Sequence, residues 1–321
     1  MFEQKSPVHA LNQARLDAVP SITDKIFYFK GCTERMYPGI NNAFMETCKI
    51  MGAELVTSES EQSCCTGNYL AFNTAPLATP LAITQRNYNV IQEHANACVT
   101  TCNGCFSSFQ NCDWYMKKDE WRARITDIMN QIGRKFIDGV KVFHAAEFYY
   151  KNRAFIQQHL KHSLDGVKIA IHYGCHFLHQ EDPDVILDDF VNPSILEILL
   201  GSCLDATVVD YRERLTCCGA GLNQRIIKDD RTNSLKITLR KMTSIKKAGT
   251  DAIVVVCPYC LLHLDNAQAE LEVEFDETFD IPVLHLSELL GLVFDLPLDI
   301  VRLDAHKVSA QSFLKKLGYS G

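Results

Sequence analysis

Apolar residues fall along this chain in short runs separated by longer amphipathic stretches. Residues 26–29 (IFYF) and 167–171 (VKIAI) are β-rich runs, and each is soon followed by the dipeptide Gly-Cys. Residues 252–256 (AIVVV) read as a buried strand running straight into a cysteine, and 98–101 (CVTT) is the weaker counterpart. Between them, 37–51, 77–94 and 228–247 carry helical character, and Gly52 and Gly249 stand where two of these helices should stop. Strands alternating with helices of this length predict parallel sheets built from βαβ units. On that reading the cysteines sit where strands end and helices begin. Backbone N–H groups there favour anionic species, thiolates among them.

The pattern is written twice. Cys32 is followed after 31 residues by Cys64-Cys65, and after 36 more by Cys102-Asn103-Gly104-Cys105. Cys175 is followed after 41 residues by Cys217-Cys218, and after 38 more by Cys257-Pro258-Tyr259-Cys260. The flanks repeat too: KIFYFKGC at 25–32 aligns with KIAIHYGC at 168–175, and VFHAAE at 142–147 with VLHLSE at 283–288. An internal repeat governs the fold. The prediction is an α/β protein of two pseudo-symmetric duplicated units with short parallel sheets, 25–167 and 168–300. An N-terminal extension (1–24) and a C-terminal tail (301–321) flank them.

Composition narrows the function. The 321 residues are 47% hydrophobic and 22% charged, an ordinary globular balance, and the net charge is −7. Without a basic block, nucleic acid and anionic membranes are poor partners. The first twenty residues have neither the apolar core of a signal peptide nor a transit composition, and no apolar run reaches membrane-spanning length. The expected setting is cytoplasmic.

Fourteen cysteines are unusual for such a protein, and ten of them lie in the repeat. In a reducing compartment cysteines more often bind metal or do redox chemistry than form disulfides. A lone CC or CxxC would mean little at this frequency; the ordered duplication carries the information. Three chemistries compete. Zinc takes four thiolates and no electrons. A dithiol pair needs only CxxC and leaves CC unexplained. Iron–sulfur clusters are held by thiolates, although these spacings match no usual ferredoxin run. Five cysteines per unit exceed both a four-thiolate zinc site and an ordinary cubane, and spacing alone leaves the metal open.

The repeat, with CNGCF at 102–106, HYGCH at 172–176, CCGAG at 217–221, CPYC at 257–260 and LSELLGL at 286–292, resembles the B subunit of heterodisulfide reductase over about residues 25–300. The resemblance implies a CCG protein with two noncubane [4Fe–4S] clusters, each held by five cysteines. By motif, Cys32, Cys64, Cys65, Cys102 and Cys105 would hold one, and Cys175, Cys217, Cys218, Cys257 and Cys260 the other. It implies reduction or formation of a disulfide such as that of coenzymes M and B. The implied partners are a ferredoxin-like C subunit, together with a flavin-containing A subunit, since the chain lacks a ferredoxin run and a flavin fingerprint of its own. The first double cysteine departs from the pattern by reading CCTG, which puts the shape of that loop in question. Two other readings stand beside this one: a CCG electron-transfer subunit of a lactate, glycolate or succinate oxidising complex, and a zinc-stabilised scaffold.

The remaining residues take plainer roles. Cys48, Cys98, Cys112 and Cys203 lie outside the repeat and are expected as small buried apolar groups. His172 and His176 bracket Cys175 and are candidates to donate to a cluster sulfur or to substrate, though packing is the simpler expectation. His144 and His285 recur with Glu147 and Glu288, which predicts a shared structural role at a helix start. Lys30, Arg35 and Arg225 are near ligand cysteines but are expected as solvated charges. Gly31 and Gly174 should let the backbone approach a cluster. Trp114 and Trp121 are read as core or interface.

Overall fold

The structure is a computed structural model that describes residues 11–67, 73–222 and 231–319. The first half runs α1 (Gln13–Ala18), β1 (Lys25–Phe29), α2 (Pro38–Ile50), β2 (Glu54–Val56), α3 (Ala78–His94), β3 (Ala97–Thr100), α4 (Asn103–Met116), α5 (Asp119–Gln131), β4 (Lys141–His144), α6 (Ala145–Lys151) and α7 (Arg153–His159). The second runs β5 (Lys168–His172), α8 (Cys175–Leu178), α9 (Ile195–Glu197) with a π-helical turn (Ile198–Cys203), and β6 (Thr207–Val208). It continues through α10 (Thr232–Ala248), β7 (Ala252–Val255), α11 (Pro258–Phe275), β8 (Val283–His285) and α12 (Leu286–Val293), then α13 (Leu298–Val301) and α14 (Gln311–Lys316).

Each half contributes a four-stranded parallel sheet, ordered β2-β1-β3-β4 and β6-β5-β7-β8. The registers repeat as well: Ile26 pairs with Ala97, and Ile169 with Ala252. Only the first residue of β1 and of β5 is exposed, and β7 is buried throughout, as in parallel sheets covered on both faces. The predicted strands and helices are therefore present, with ends shifted by a residue or two; the expected start of α10 at 228 lies outside the described residues. Gly52 (φ 82°) and Gly249 (φ 71°) take the left-handed conformation after α2 and α10, which ends a helix without a Cβ clash. Among the described residues no helix is long and apolar enough to cross a membrane.

The halves interlock. The closing helix of the second half, α12, packs on α2 of the first, and α6 of the first packs on α9 of the second. One apolar cluster joins Ile26 and Phe44 to Ile169 and Leu284, and another joins Phe27 and Phe109 to Ile253 and Leu264. Burying this apolar surface is the main stabilising term, and neither half could keep it from water alone.

The recurring histidines have the expected helix-start role. His144 Nδ1 accepts from the Ala146 N–H (3.0 Å), while Glu147 accepts from the His144 N–H (2.8 Å). His285 and Glu288 repeat the arrangement on α12, at 3.1 and 2.8 Å. The two flanking segments complete these caps in matching ways. Arg15 of α1 donates to Glu147 (2.8 Å) and to the Val142 carbonyl (3.0 Å). His306 near the C-terminus meets Glu288 (3.1 Å) and the Val283 carbonyl (2.9 Å). Burial disfavours a charged His306, but Glu288 and the other acceptors around it outweigh that and raise its pKa.

Gly39 marks the closest approach of α2 to α13, where an added Cβ would fall 1.8 Å from the Val301 carbonyl oxygen. Gly39→Ala should therefore destabilise the protein by about 1–3 kcal/mol. Lys49→Ala, on an exposed position of the same helix, should stay within about 0.5 kcal/mol. Denaturant melts of the two variants check this; equal midpoints would contradict the packing argument.

Candidate metal centre

Each cysteine of the repeat sits where its sheet delivers it. Cys32 opens a 3₁₀ turn just beyond β1, and Cys175 begins α8 just beyond β5. Cys102 and Cys257 are the N-cap residues of α4 and α11. The CxxC spacing then places Cys105 and Cys260 about one turn along the same helix face. The double cysteines lie in the loops between β2 and α3 and between β6 and α10. The switch from strand to helix at the carboxyl end of a parallel sheet is where such folds gather functional groups.

The ten thiols form one continuous string. Cys32 contacts Cys64, Cys64 contacts Cys65, Cys65 contacts Cys105, and Cys105 contacts Cys102. Across the boundary between halves Cys102 contacts Cys257, and the order then reverses through Cys260, Cys218 and Cys217 to Cys175. Cys218 and Cys260 sulfurs are 3.6 Å apart. The middle six cysteines are buried, Cys217 and Cys175 are partly exposed, and Cys32 and Cys64 are exposed. All are free thiols.

Such crowding makes the thiols unequal. Cys65 accepts from Cys105 and Cys64, Cys257 from Cys102 and Cys260, and Cys217 from Cys175 and Cys218, which holds these three well below the ordinary thiol range. The donors move the other way: hydrogen bonding to Cys217, with burial, pushes Cys218 up to about 12. Further deprotonation would place several anions in contact, which requires cations among them. An all-sulfur donor set selects soft or borderline metals, zinc or iron in iron–sulfur form.

The CCTG departure leaves the loop intact. Thr66 adopts φ 60° where the second half has Gly219 at φ 104°. The Thr66 N–H reaches Cys64 Sγ at 3.4 Å, as the Gly219 N–H reaches Cys217 Sγ at 3.3 Å. A β-branched residue in the left-handed region is strained. The first half thus keeps the turn at a conformational cost. Of the two glycines expected to admit the backbone, Gly174 (φ 78°) is the tighter: a Cβ there would lie 2.5 Å from Asn103 Nδ2 and 3.4 Å from Cys260 Sγ. At Gly31 a Cβ would meet Glu34 at 2.8 Å.

His172 is buried, and neither of its ring nitrogens has a hydrogen-bond partner. It groups with the Cys218 and Cys260 sulfurs, the three ligand atoms lying within 4.8 Å of one another. Orphaned polar atoms aimed at thiols fit a centre containing further acceptor atoms. His176 sits outside, its Nδ1 3.3 Å from Cys175 Sγ. Cys48, Cys98, Cys112 and Cys203 are packed away, and burial raises their pKa values. Lys30 pairs with Glu59, Arg35 is exposed, and Arg225 lies outside the described residues. Trp121 packs partly buried beside one core cluster, edge-on to Tyr115.

Several neighbours escaped the sequence reading. Glu34 is buried with Tyr28 and Thr101, and burial raises its pKa to about 7. Lys241 is buried and donates to the Glu213 carbonyl. His263 bonds Thr238 at 2.8 Å. Its position three residues after Cys260 was a legible signal, since it falls on the same helix face. Asn103, inside the first CxxC, donates to the Tyr173 carbonyl (2.8 Å), and His285 Nε2 donates to the Thr101 carbonyl (3.0 Å), so each half touches the other's cysteine loop. A cleft of about 230 Å³ opens where Gly67 and Gly104 face His176 and His179. The larger hollow, about 300 Å³ beside Lys246 and Lys316, contains no cysteine of the repeat.

The family model for the CCG cysteine-rich domain matches residues 26–110 and 169–265. The chain is 32% identical over 306 residues to the B subunit of the ferredoxin:CoB-CoM heterodisulfide reductase of Methanosarcina mazei, covering 92% of this chain and 97% of that one. It is 25% identical to the 8-methylmenaquinol:fumarate reductase membrane anchor subunit of Wolinella succinogenes, covering 88% and 96%. Among solved structures, a hypothetical protein from Helicobacter pylori shares the fold (TM-score 0.66, 8% identity), with 93% of this chain and 56% of that one covered.

Gly174 and Gly166 both have positive φ, but only Gly174 has a neighbour within reach of a Cβ. Gly166→Ala should cost about 1–2 kcal/mol for the left-handed conformation alone. Gly174→Ala should cost at least about 1–3 kcal/mol more, because φ 78° with ψ 145° is a region open essentially to glycine alone and a Cβ there would also meet Asn103. Unfolding curves that rank the two variants equally would refute the close approach.

Proposed function

Because the chain belongs to the family of CCG cysteine-rich proteins that includes the heterodisulfide reductase B subunits, we propose that it is the iron–sulfur B subunit of a heterodisulfide reductase-type complex. The observation that carries this reading is the continuous string of ten thiols, symmetric about Cys102 and Cys257. In it the units 25–167 and 168–300 each hold a noncubane [4Fe–4S] cluster. Cys32, Cys64, Cys65, Cys102 and Cys105 serve one, and Cys175, Cys217, Cys218, Cys257 and Cys260 the other. Bound there, such clusters supply one-electron chemistry and iron to which a thiolate sulfur binds.

Reducing a disulfide takes two electrons and two protons and yields two thiols. Two five-cysteine sets in contact match that need. The protein's own groups prepare the site: buried Cys102, Cys105, Cys257 and Cys260 exclude water from its middle, and the cleft beside Gly67, Gly104 and His176 offers an approach for a disulfide or thiol. Electrons are supplied by a ferredoxin-like C subunit, which in turn draws them from a flavin-containing A subunit. The same chemistry run backwards forms a disulfide. A second reading, an electron relay in an oxidising complex such as one acting on lactate, glycolate or succinate, is favoured by the similarity to the Wolinella fumarate reductase protein.

Purified without oxygen, the protein should be brown and contain iron and sulfide, and air should bleach it. Cys65→Ala and Cys218→Ala should each lose about half the iron, whereas Cys48→Ala and Cys203→Ala should keep it. Metal analysis decides: stoichiometric zinc without iron would replace the cluster reading with a zinc scaffold.

Reductase and relay part company in double variants. If both sets act on one disulfide, Cys105→Ala and Cys260→Ala should each abolish turnover with an artificial electron donor nearly as fully as the double variant, because residues acting as a unit are non-additive. Added thiol should also change the spectrum of the intact oxidised protein. Substantial activity in one single variant, with no spectral response to thiol, would leave the relay.

A further inference from the structure

The two cysteine sets share one plan, and the residue that ends the first strand of each plan differs in kind between them. β1 ends on Phe29 and β5 on His172, and the repeat holds them in register: Phe29 pairs with Thr100 on β3, His172 with Val255 on β7. Phe29 makes an edge-to-face contact with Phe109, ring centroids 5.0 Å apart. His172 is 1% exposed, has no partner at either ring nitrogen, and faces the sulfurs of Cys218 and Cys260.

The polar neighbours of the second set are otherwise engaged. His263 is bonded by Thr238 and lies 3.4 Å from Arg231. Lys241 donates to the Glu213 carbonyl. A neutral imidazole carries one N–H donor and one bare nitrogen. A protonated ring would only add a second donor, so in either form the imidazole has an N–H to place. The groups that face it are the Cys218 and Cys260 sulfurs, the three ligand atoms lying within 4.8 Å of one another. Hydrogen bonds to the sulfurs of an iron–sulfur cluster raise its reduction potential, since they favour the more negative reduced form. The ring of Phe29 supplies no such donor.

We propose that His172 donates a hydrogen bond to sulfur in the second cysteine set and thereby makes the two clusters unequal, the one held by Cys175, Cys217, Cys218, Cys257 and Cys260 being the easier to reduce. This rests on the iron–sulfur reading above. His172 acts through sulfur, so it is a positioning and tuning residue rather than a catalytic one. The event concerned is the addition of one electron, with no bond made or broken. Electrons arriving singly collect first at the second set.

The test is a redox titration with dithionite, followed by electron paramagnetic resonance, on anaerobically purified full-length protein. The wild type should show two midpoints. His172→Phe, which copies the first set, should lower the higher one by at least a tenfold change in the equilibrium constant, about 59 mV for a one-electron couple, at unchanged iron content. His172→Gln keeps an N–H donor and should restore most of the shift. Coincident midpoints in the wild type, or an unmoved higher midpoint in an iron-replete His172→Phe protein, would overturn the proposal. So would loss of half the iron in both variants, which would make His172 a ligand. A wild-type protein without iron would instead remove the cluster reading itself, and metal analysis shows this before any midpoint is measured.

Discussion

The contact between Cys102 and Cys257 is the constraint on which the molecule turns. Both residues cap helices that leave the carboxyl ends of central strands, and both lie on the boundary between the halves. Bringing two thiols together there requires the two sheets to meet at their functional ends. Thiols that share protons so closely can carry only part of their charge, so the site is built for a cationic occupant and is poorly suited to remain bare. The rest of the architecture keeps that junction in place.

Duplication alone would give two units that could drift apart, and the exchange of closing helices prevents it. α12 covers α2, α6 covers α9, and both apolar clusters cross the boundary. The capping histidines serve twice. His285 fixes the start of α12 through Nδ1 and reaches the Thr101 carbonyl through Nε2, just before the other half's CxxC. Arg15 forms an ion pair with the buried cap carboxylate Glu147, and His306 lies within hydrogen-bond distance of Glu288, both from outside the repeat. A buried carboxylate without such a partner would be costly, which gives the flanking segments a structural reason to be there.

Symmetry is kept in the placement of the cysteines and relaxed around them. Thr66 takes the turn that Gly219 takes freely, so the first double cysteine tolerates backbone strain to hold its sulfur geometry. Asn103 has Pro258 as its repeat mate, and Phe29 has His172. These differences lie beside the cysteines. They leave the scaffold equivalent while giving each set a different polar surround, the means by which one duplicated fold separates two similar sites.

Much of this was legible along the chain. The cysteine order, repeated with its flanks, disclosed the duplication, and the β-rich runs before Gly-Cys located the strands that carry Cys32 and Cys175. Local patterning sufficed because parallel strands buried on both faces are continuously apolar and helix stops need glycine. The recurrence of His144 with Glu147 and of His285 with Glu288 even revealed a capping role, since capping is a contact within four residues. What only the tertiary structure decided involves groups far apart in sequence. The thiol string across Cys102 and Cys257, the helix exchange, and the caps completed by Arg15 and His306 join residues more than a hundred positions apart or from segments outside the repeat. Periodicity reports which face of an element is buried but not which partner covers it, and the unpaired nitrogens of His172 become visible only once every neighbour has been placed.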